Sequence, residues 1–212
     1  MTQVTFLGTG MMTKGIATRL IAGGHDVTMV AFDEAEGRLR VSELPGARIV
    51  DEPGGDVVVL AVPYGAVESV VDRYRTQLAG RIVVDITNPV DFDVLTPLPV
   101  RGSAAQEIAA ALPEAKVVKA FNTTFAPTLV AGVVGDVPLD VLIASDDDDA
   151  KRTVAGLVRD GGMRAVDAGP LARAHELEAL GYLHISMQFL LGTQFGTGIK
   201  LLTAPLDHNL VP

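Results

Sequence analysis

The residues whose spacing says most about chemistry stand at the amino end, where the apolar run Val4-Thr5-Phe6-Leu7 opens into Gly8-Thr9-Gly10-Met11-Met12-Thr13. This is a G-x-G-x-x-T pattern. Gly8 permits a tight turn, and Gly10 lets the backbone approach a pyrophosphate. The unpaired amides of the next helix, at its positive dipole end, complete an anion cradle. The competing reading is an ordinary glycine-rich turn. Here the glycines follow a strand and open a helix from Gly15 to Ile21, the context in which such a turn reads as a dinucleotide site. Thr13 stands where glycine or alanine is usual, which predicts a slightly displaced helix or a hydroxyl facing the cofactor.

Phe32 and Asp33 end the second strand, and Asp33 lies twenty residues beyond Thr13. A carboxylate there accepts hydrogen bonds from the adenosine ribose hydroxyls and repels a 2′-phosphate, which favours NAD over NADP. Asp33 could equally start a helix, leaving Arg38 or Arg40 to reach a phosphate. Two further loops, Ala61-Val62-Pro63-Tyr64 and Thr87-Asn88-Pro89, follow the fourth and fifth strands. Ligands of doubly wound sheets lie outside the carboxyl ends of the strands, so both loops are expected at the nicotinamide end. Asn88, both donor and acceptor, is the better functional candidate; the prolines also form turns, and Tyr64 serves equally well as packing.

Other chemistry is excluded. Without a cysteine there is no thiol nucleophile, zinc finger or iron–sulfur site. His25, His175, His184 and His208 show no metal spacing, no G-x-S-x-G occurs, and no metal is expected. His184 reads as a core or interface histidine. Ser145 followed by Asp148 reads as a helix start, which accounts for the acidic run Asp146 to Asp149. With 26 acidic against 17 basic residues in 212, a net charge of −9 disfavours a nucleic-acid partner. No leader pattern precedes Val4, and no apolar stretch reaches the roughly eighteen residues a membrane span needs, so a cytoplasmic protein is expected.

Strands and helices alternate around these loops. Val27 to Phe32, Asp56 to Val62, Ile82 to Ile86, Lys116 to Ala120, Leu139 to Ala144 and Met163 to Val166 read as strands. Ala66 to Leu78, Ser103 to Leu112, Asp146 to Val158 and Leu171 to Leu191 read as helices. Glu34 to Gly55 is less regular, and Ala47 to Val50 reads as a short strand. The order predicts an α/β protein built on a doubly wound, mainly parallel sheet, with a dinucleotide-binding domain over 1–170 and a C-terminal helix and tail over 171–212.

Taken together, these residues resemble the coenzyme F420-dependent NADP oxidoreductases. The resemblance runs from Val4 to Leu202. Its most specific pieces are Gly8-Thr9-Gly10, Ala61-Val62-Pro63-Tyr64, Val84-Asp85-Ile86-Thr87-Asn88-Pro89, Lys119-Ala120-Phe121-Asn122-Thr123, Asp167-Ala168-Gly169-Pro170-Leu171 and Gly198-Ile199-Lys200. It implies a Rossmann domain with a small C-terminal helical extension, a nicotinamide dinucleotide, and a deazaflavin, coenzyme F420, or a flavin as redox partner. Two positions depart from the pattern. Ala31-Phe32-Asp33 replaces the serine and arginines that meet the 2′-phosphate, and Asn122 replaces a histidine beside the deazaflavin. Membrane reductases that carry a similar domain ahead of a haem-binding region are set aside, because no such region is seen in this sequence.

The expected reaction is hydride transfer between NAD(P)H and a planar redox ring, held by Asn88, Asn122 and Thr123. The dinucleotide is expected on Gly8, Thr9, Gly10, Met11, Met12, Thr13, Phe32, Asp33, Val62, Pro63, Tyr64 and Asn88, with NAD slightly favoured. The chain also looks too short for the helical domain that encloses a small substrate in related reductases. A reductase of a small carbonyl or imine remains an alternative, with Tyr64, Lys119 or His175 as proton donor, as does a dinucleotide sensor without turnover. The apolar residues around the helix from Leu171 predict a homodimer.

Overall fold

The computed structural model describes residues 1–203. The chain opens with β1 (Gln3–Leu7), α1 (Met11–Ala22), β2 (Asp26–Val30), α2 (Glu34–Glu43) and the two-residue β3 (Arg48–Ile49). Next come β4 (Val57–Leu60), α3 (Tyr64–Leu78) and β5 (Ile82–Asp85), then a hairpin of β6 (Val90–Asp91) and β7 (Thr96–Pro97). α4 (Ala104–Ala111), β8 (Lys116–Lys119), α5 (Ala126–Ala131) and a second hairpin, β9 (Val133–Val134) with β10 (Val137–Pro138), follow. The last elements are β11 (Asp140–Ala144), α6 (Asp148–Asp160), β12 (Arg164–Gly169), a short 3₁₀ turn (Leu171–Arg173) and α7 (Ala174–Leu191).

Eight strands form one sheet in the order β12-β11-β8-β5-β4-β1-β2-β3. Every pair is parallel except β8 with β11, which meet at a single antiparallel bridge between Lys119 and Ala144. Val57-Val58-Val59-Leu60 is buried throughout because helices cover both faces. Val57 and Val59 face Ile16 and Leu20 of α1, Leu129 of α5 and Val154 of α6; Val58 and Leu60 face Val67 and Val70 of α3 and Ile108 of α4. The alternation of side chains along a strand thus builds two apolar layers. Between β2 and β4 the sheet ends in α2 and β3, so the irregular stretch is helix plus short strand.

Three helix starts show how local sequence fixes the elements. Ser103 caps α4, its Oγ accepting from the Gln106 amide. Asp33 caps α2 through the Glu36 amide. α6 is capped by Asp147, which accepts from the Ala150 amide, whereas Ser145 donates back to the Val117 carbonyl. The helix therefore begins two residues later than Ser145 suggests. The Gly198-Ile199-Lys200 stretch returns to the sheet, where Lys200 and the Leu201 amide bond Asp140. Burial raises that carboxyl, but hydrogen bonds from Arg164 and Lys200 prevail and hold it at about 2.

Among the described residues, no helix is long and apolar enough to cross a membrane. His208 lies outside them.

Candidate functional site

The glycine turn at the end of β1 forms one end of the site. Gly8 has φ +117, in the region glycine tolerates, and a Cβ there would collide with the Ala61 carbonyl at the end of β4. Gly10 is the N-cap of α1 with extended geometry, and a Cβ on it meets nothing within 4 Å. The first turn of α1 has no side-chain cap and no acidic residue, so its amides stay free for an anion. Beneath the turn, Arg40 is nearly fully buried; its guanidinium donates to the Thr9 carbonyl at 2.6 Å and pairs with Glu43. Arg40 braces the loop and is not free to meet a phosphate. Arg38 pairs with Glu34 in solvent.

Two cavities run from this turn. One, of about 680 Å³, is lined by Gly8, Thr9, Gly10, Phe32, Asp33, Val62 and Pro63, with Glu36, Ser69 and Arg73. It lies where the adenosine half of a dinucleotide would lie. The other, of about 610 Å³ and mostly apolar, is lined by Gly10, Met11, Met12, Val62, Pro63, Tyr64, Asn88 and Asn122, with Phe125, Ile185 and Phe195. Gly10, Val62 and Pro63 belong to both, so the two form one trough over the carboxyl ends of β1 and β4.

Two residues expected at the ligand stand elsewhere. Thr13 is fully buried and lines neither cavity; its hydroxyl donates to the Gly8 carbonyl at 2.9 Å, which ties the helix start to the strand end. Thr123 is also buried and outside both linings; its carbonyl meets His184.

Asn88 and Asn122 form a reciprocal pair. The Asn88 amide nitrogen donates to the Asn122 backbone carbonyl at 2.7 Å, and the Asn122 amide nitrogen donates to Asn88 Oδ1 at 2.9 Å and the Leu177 carbonyl at 2.8 Å. Both partners of the Asn122 nitrogen are acceptors, which leaves its Oδ1 turned away from them, buried and without a partner among the described residues. A buried acceptor left bare is costly. Asn122 lines the apolar cavity, and an N–H of a bound carboxamide or ring is one partner that would satisfy this oxygen. Phe121, buried with φ +63, makes the turn that brings Asn122 to the wall, a strained conformation for an aromatic residue.

Behind this pair lies a fully buried ion cluster that composition alone does not announce. Lys119 spends its three N–H groups on Asp85 Oδ2 at 2.8 Å, the Thr87 carbonyl at 2.6 Å and Glu178 Oε1 at 2.8 Å. Asp85 accepts from both the amide and the hydroxyl of Thr87, and Glu178 accepts from the first amides of α4. Burial pushes the Glu178 carboxyl up, against the attraction of Lys119. Lys119 therefore anchors the Thr87-Asn88 loop and is not a free proton donor. His175 is exposed on the Gly102 carbonyl. Tyr64 lines the cavity, but its hydroxyl donates to Glu107 at 2.6 Å, and burial, then Glu107, push its pKa up. Glu178, Gly181 and His184 on α7 stand behind this loop without lining the cavity, to which α7 contributes Ile185. The signal for them is thin: polar residues and a glycine at three- to four-residue spacing in an apolar helix.

Comparisons with known proteins bear on the family and the fold. The family described as NADP oxidoreductase, coenzyme F420-dependent, matches residues 3–89. The F420-dependent NADP reductase of Methanothermobacter marburgensis is 30% identical over 203 residues, 85% of this chain and 89% of that protein. That of Methanocaldococcus jannaschii is 32% identical over 153 residues, 69% of this chain and 68% of that protein. The metalloreductase STEAP3 of Rattus norvegicus is 34% identical over 183 residues, 84% of this chain but 36% of that protein, so the chain spans about a third of that relative's length. A crystal structure of an Arthrobacter protein, provisionally described as an F420-dependent NADP reductase, superposes with a TM-score of 0.84 at 28% identity, covering 96% of this chain and 100% of that one.

Proposed function

The chain belongs to the family of coenzyme F420-dependent NADP oxidoreductases and is an NAD(P)-dependent oxidoreductase; from that premise we propose that it passes a hydride between NADPH and a planar redox ring of the deazaflavin or flavin type. One observation carries the choice of acceptor. Among the described residues lining the apolar cavity, Tyr64 is the only titratable side chain, and its hydroxyl is committed as a donor to Glu107. Reduction of a carbonyl or imine needs a proton donor in place. Transfer between stacked rings needs orientation at about 3–3.5 Å and an apolar floor.

When bound, the reduced dinucleotide supplies the hydride, and the acceptor takes a proton from solvent at the mouth of the half-open cavity. The chain's part is to hold both. Gly8, Thr9, Gly10 and the amides of Met11 and Met12 receive the pyrophosphate, and Val62, Pro63 and Tyr64 floor the nicotinamide. The Asn122 amide oxygen accepts from an N–H of the acceptor ring, while Asn88 holds Asn122. Thr123 acts from behind the wall. At the adenosine end, the NADP in the archaeal relatives' names favours Arg73 as partner of a 2′-phosphate over Asp33 as partner of a 2′-hydroxyl, since Asp33 already caps α2. The division into a dinucleotide unit, 1–170, and a C-terminal unit, 171–212, is kept as part of this reading, with α7 backing the Asn88–Asn122 pair. The exposed Leu183, Phe189, Leu190 and Leu191 of α7 suit a homodimer, for which light scattering at micromolar concentration gives the mass.

Stopped-flow mixing of the NADPH-loaded protein with oxidised deazaflavin, FMN and riboflavin tests the reading. Rapid oxidation of NADPH by one ring is expected. Asn122→Ala should weaken acceptor binding by about ten-fold and NADPH binding by far less, the loss of one hydrogen bond in a dry site. Turnover of a ketone or imine with no oxidation by any ring would overturn the proposal.

A further inference from the structure

The buried face of α7 is unusual for a helix that closes a core, because it carries Glu178, Gly181, His184 and Gln188 beside Leu177 and Ile185. These residues recur every three or four positions, so they lie on one side of the helix. Three of them meet the site's wall directly. The Leu177 carbonyl receives Asn122, Glu178 receives Lys119, and His184 Nδ1 meets the Thr123 carbonyl at 3.1 Å.

Gly181 sits at the centre of this face. A Cβ there would lie 2.5 Å from Asn88 Oδ1 and 2.9 Å from both Cγ and Nδ2. The Asn88 amide therefore occupies the space in which any other residue at this position of α7 would carry its Cβ. Asn88 cannot retreat. Its nitrogen is bound to the Asn122 carbonyl and its oxygen to the Asn122 amide. The loop behind it is anchored at the Thr87 carbonyl by Lys119 and at the Thr87 amide by Asp85.

From this contact we propose that Gly181 is a positioning residue: its missing side chain is the notch that seats the Asn88 amide, and through Asn88 it fixes the direction in which Asn122 presents its free oxygen. The proposal rests on the reading that this oxygen meets the redox acceptor. Gly181 touches no ligand, and its effect passes through the amide pair. Glycine otherwise lowers the stability of a helix interior, so the contact accounts for a residue that α7 would do better without.

The test is a double-mutant cycle between Gly181→Ala and Asn88→Ala. In the native background, Gly181→Ala should lower the thermal midpoint and raise the KM for the ring acceptor by about ten-fold, with the Kd for NADPH moving less than about two-fold. In the Asn88→Ala background the clashing atoms are gone, so the same substitution should raise the midpoint by roughly 2–4 °C, as alanine replaces glycine in a helix. That reversal of sign is what a helix-destabilising role alone would not give. If the single variant does not fold, the comparison of Asn88→Ala with the double variant still reads the sign. Equal loss of midpoint in both backgrounds would overturn the proposal, as would an unchanged acceptor KM in a folded Gly181→Ala. Should none of the ring acceptors oxidise NADPH on the native protein, the proposed reaction falls and the thermal cycle still decides the notch.

Discussion

The two ends of the trough are built by opposite means. At the end proposed for the dinucleotide the candidate groups are backbone amides that any helix start supplies, and a Cβ on Gly10 would stand in open space. At the end proposed for the acceptor the candidate groups are side-chain amides, held from behind by a buried lysine, two buried carboxylates and the backbone of α7. A binding site made of backbone can lose its ligand and keep its fold. One made of interlocked buried side chains should lose both together.

The largest effect that would sharpen this contrast is expected at Lys119. Lys119→Ala leaves Asp85 and Glu178 facing one another without a cation, in a place where burial already raises the Glu178 carboxyl. Breaking a buried ion cluster by removing one partner costs about 3–5 kcal/mol. Denaturant unfolding should show a loss of that order, and the acceptor KM should rise with it because the Thr87-Asn88 loop loses its anchor. A loss below about 1 kcal/mol, the size of a surface pair, would break the contrast.

Gly10→Val is the mirror experiment. Its side chain projects into open space, so the unfolding midpoint should stay within about 2–4 °C of the native value, the shift given by roughly 1 kcal/mol in a chain of this size. Titration should find NADPH binding weakened by about a hundred-fold, because the valine occupies the approach to the amides. Unchanged affinity would remove the glycine turn from the site.

The same contrast explains what could be read from sequence. The turn, the cradle and the strand-end residues to Asp33 come from residues at fixed offsets, so their placement at one end of the sheet follows from one β-α-β unit. Asn88 and Asn122 are legible as residues at the ends of strands. Their pairing is not, since it depends on β5 and β8 being neighbours. Thr13 misleads because a hydroxyl near a ligand and a hydroxyl on the Gly8 carbonyl share one position in the chain. α5 escapes notice because it is six residues long with Pro127 near its start, too short to show a period. Gly181 escapes because a glycine within an apolar helix shows its purpose only when Asn88 is beside it.

A smaller effect is expected at Arg73, which lines the adenosine cavity with Asp33 and Glu36. Arg73→Ala should weaken NADPH by about ten-fold and leave NADH unchanged, as for loss of one charge-assisted contact to a 2′-phosphate. Equal effects on both would assign the arginine to adenine packing, and tighter binding of NADH than NADPH by the native protein would return the choice of cofactor to Asp33. Even this polar, side-chain contact sits in solvent, so the unfolding midpoint should not move.

The smallest expected effect lies at the acceptor end and concerns pH. His184 is buried against the Phe125 ring, with 4.2 Å between centroids, and burial pushes its pKa down. Nδ1 faces a carbonyl, so it carries the proton, and Nε2 then accepts from the Thr197 hydroxyl, whose oxygen accepts in turn from Gln188. Protonating Nε2 would give Thr197 two donors and leave its own hydrogen unpaired. A histidine whose folded pKa lies below its unfolded value of 6.5 contributes stability that is present above 6.5 and is lost as pH falls through the folded value. Thermal midpoints should therefore decline as pH falls below about 6.5, and His184→Gln should flatten that decline while keeping one bond to Thr197. The glycine turn holds no titrating group, so the affinity for NADH, which lacks the 2′-phosphate that itself titrates at about 6, should fall less over the same range than the affinity for the acceptor. If the affinity for NADH falls as steeply, the two ends of the trough are coupled more tightly than their construction implies.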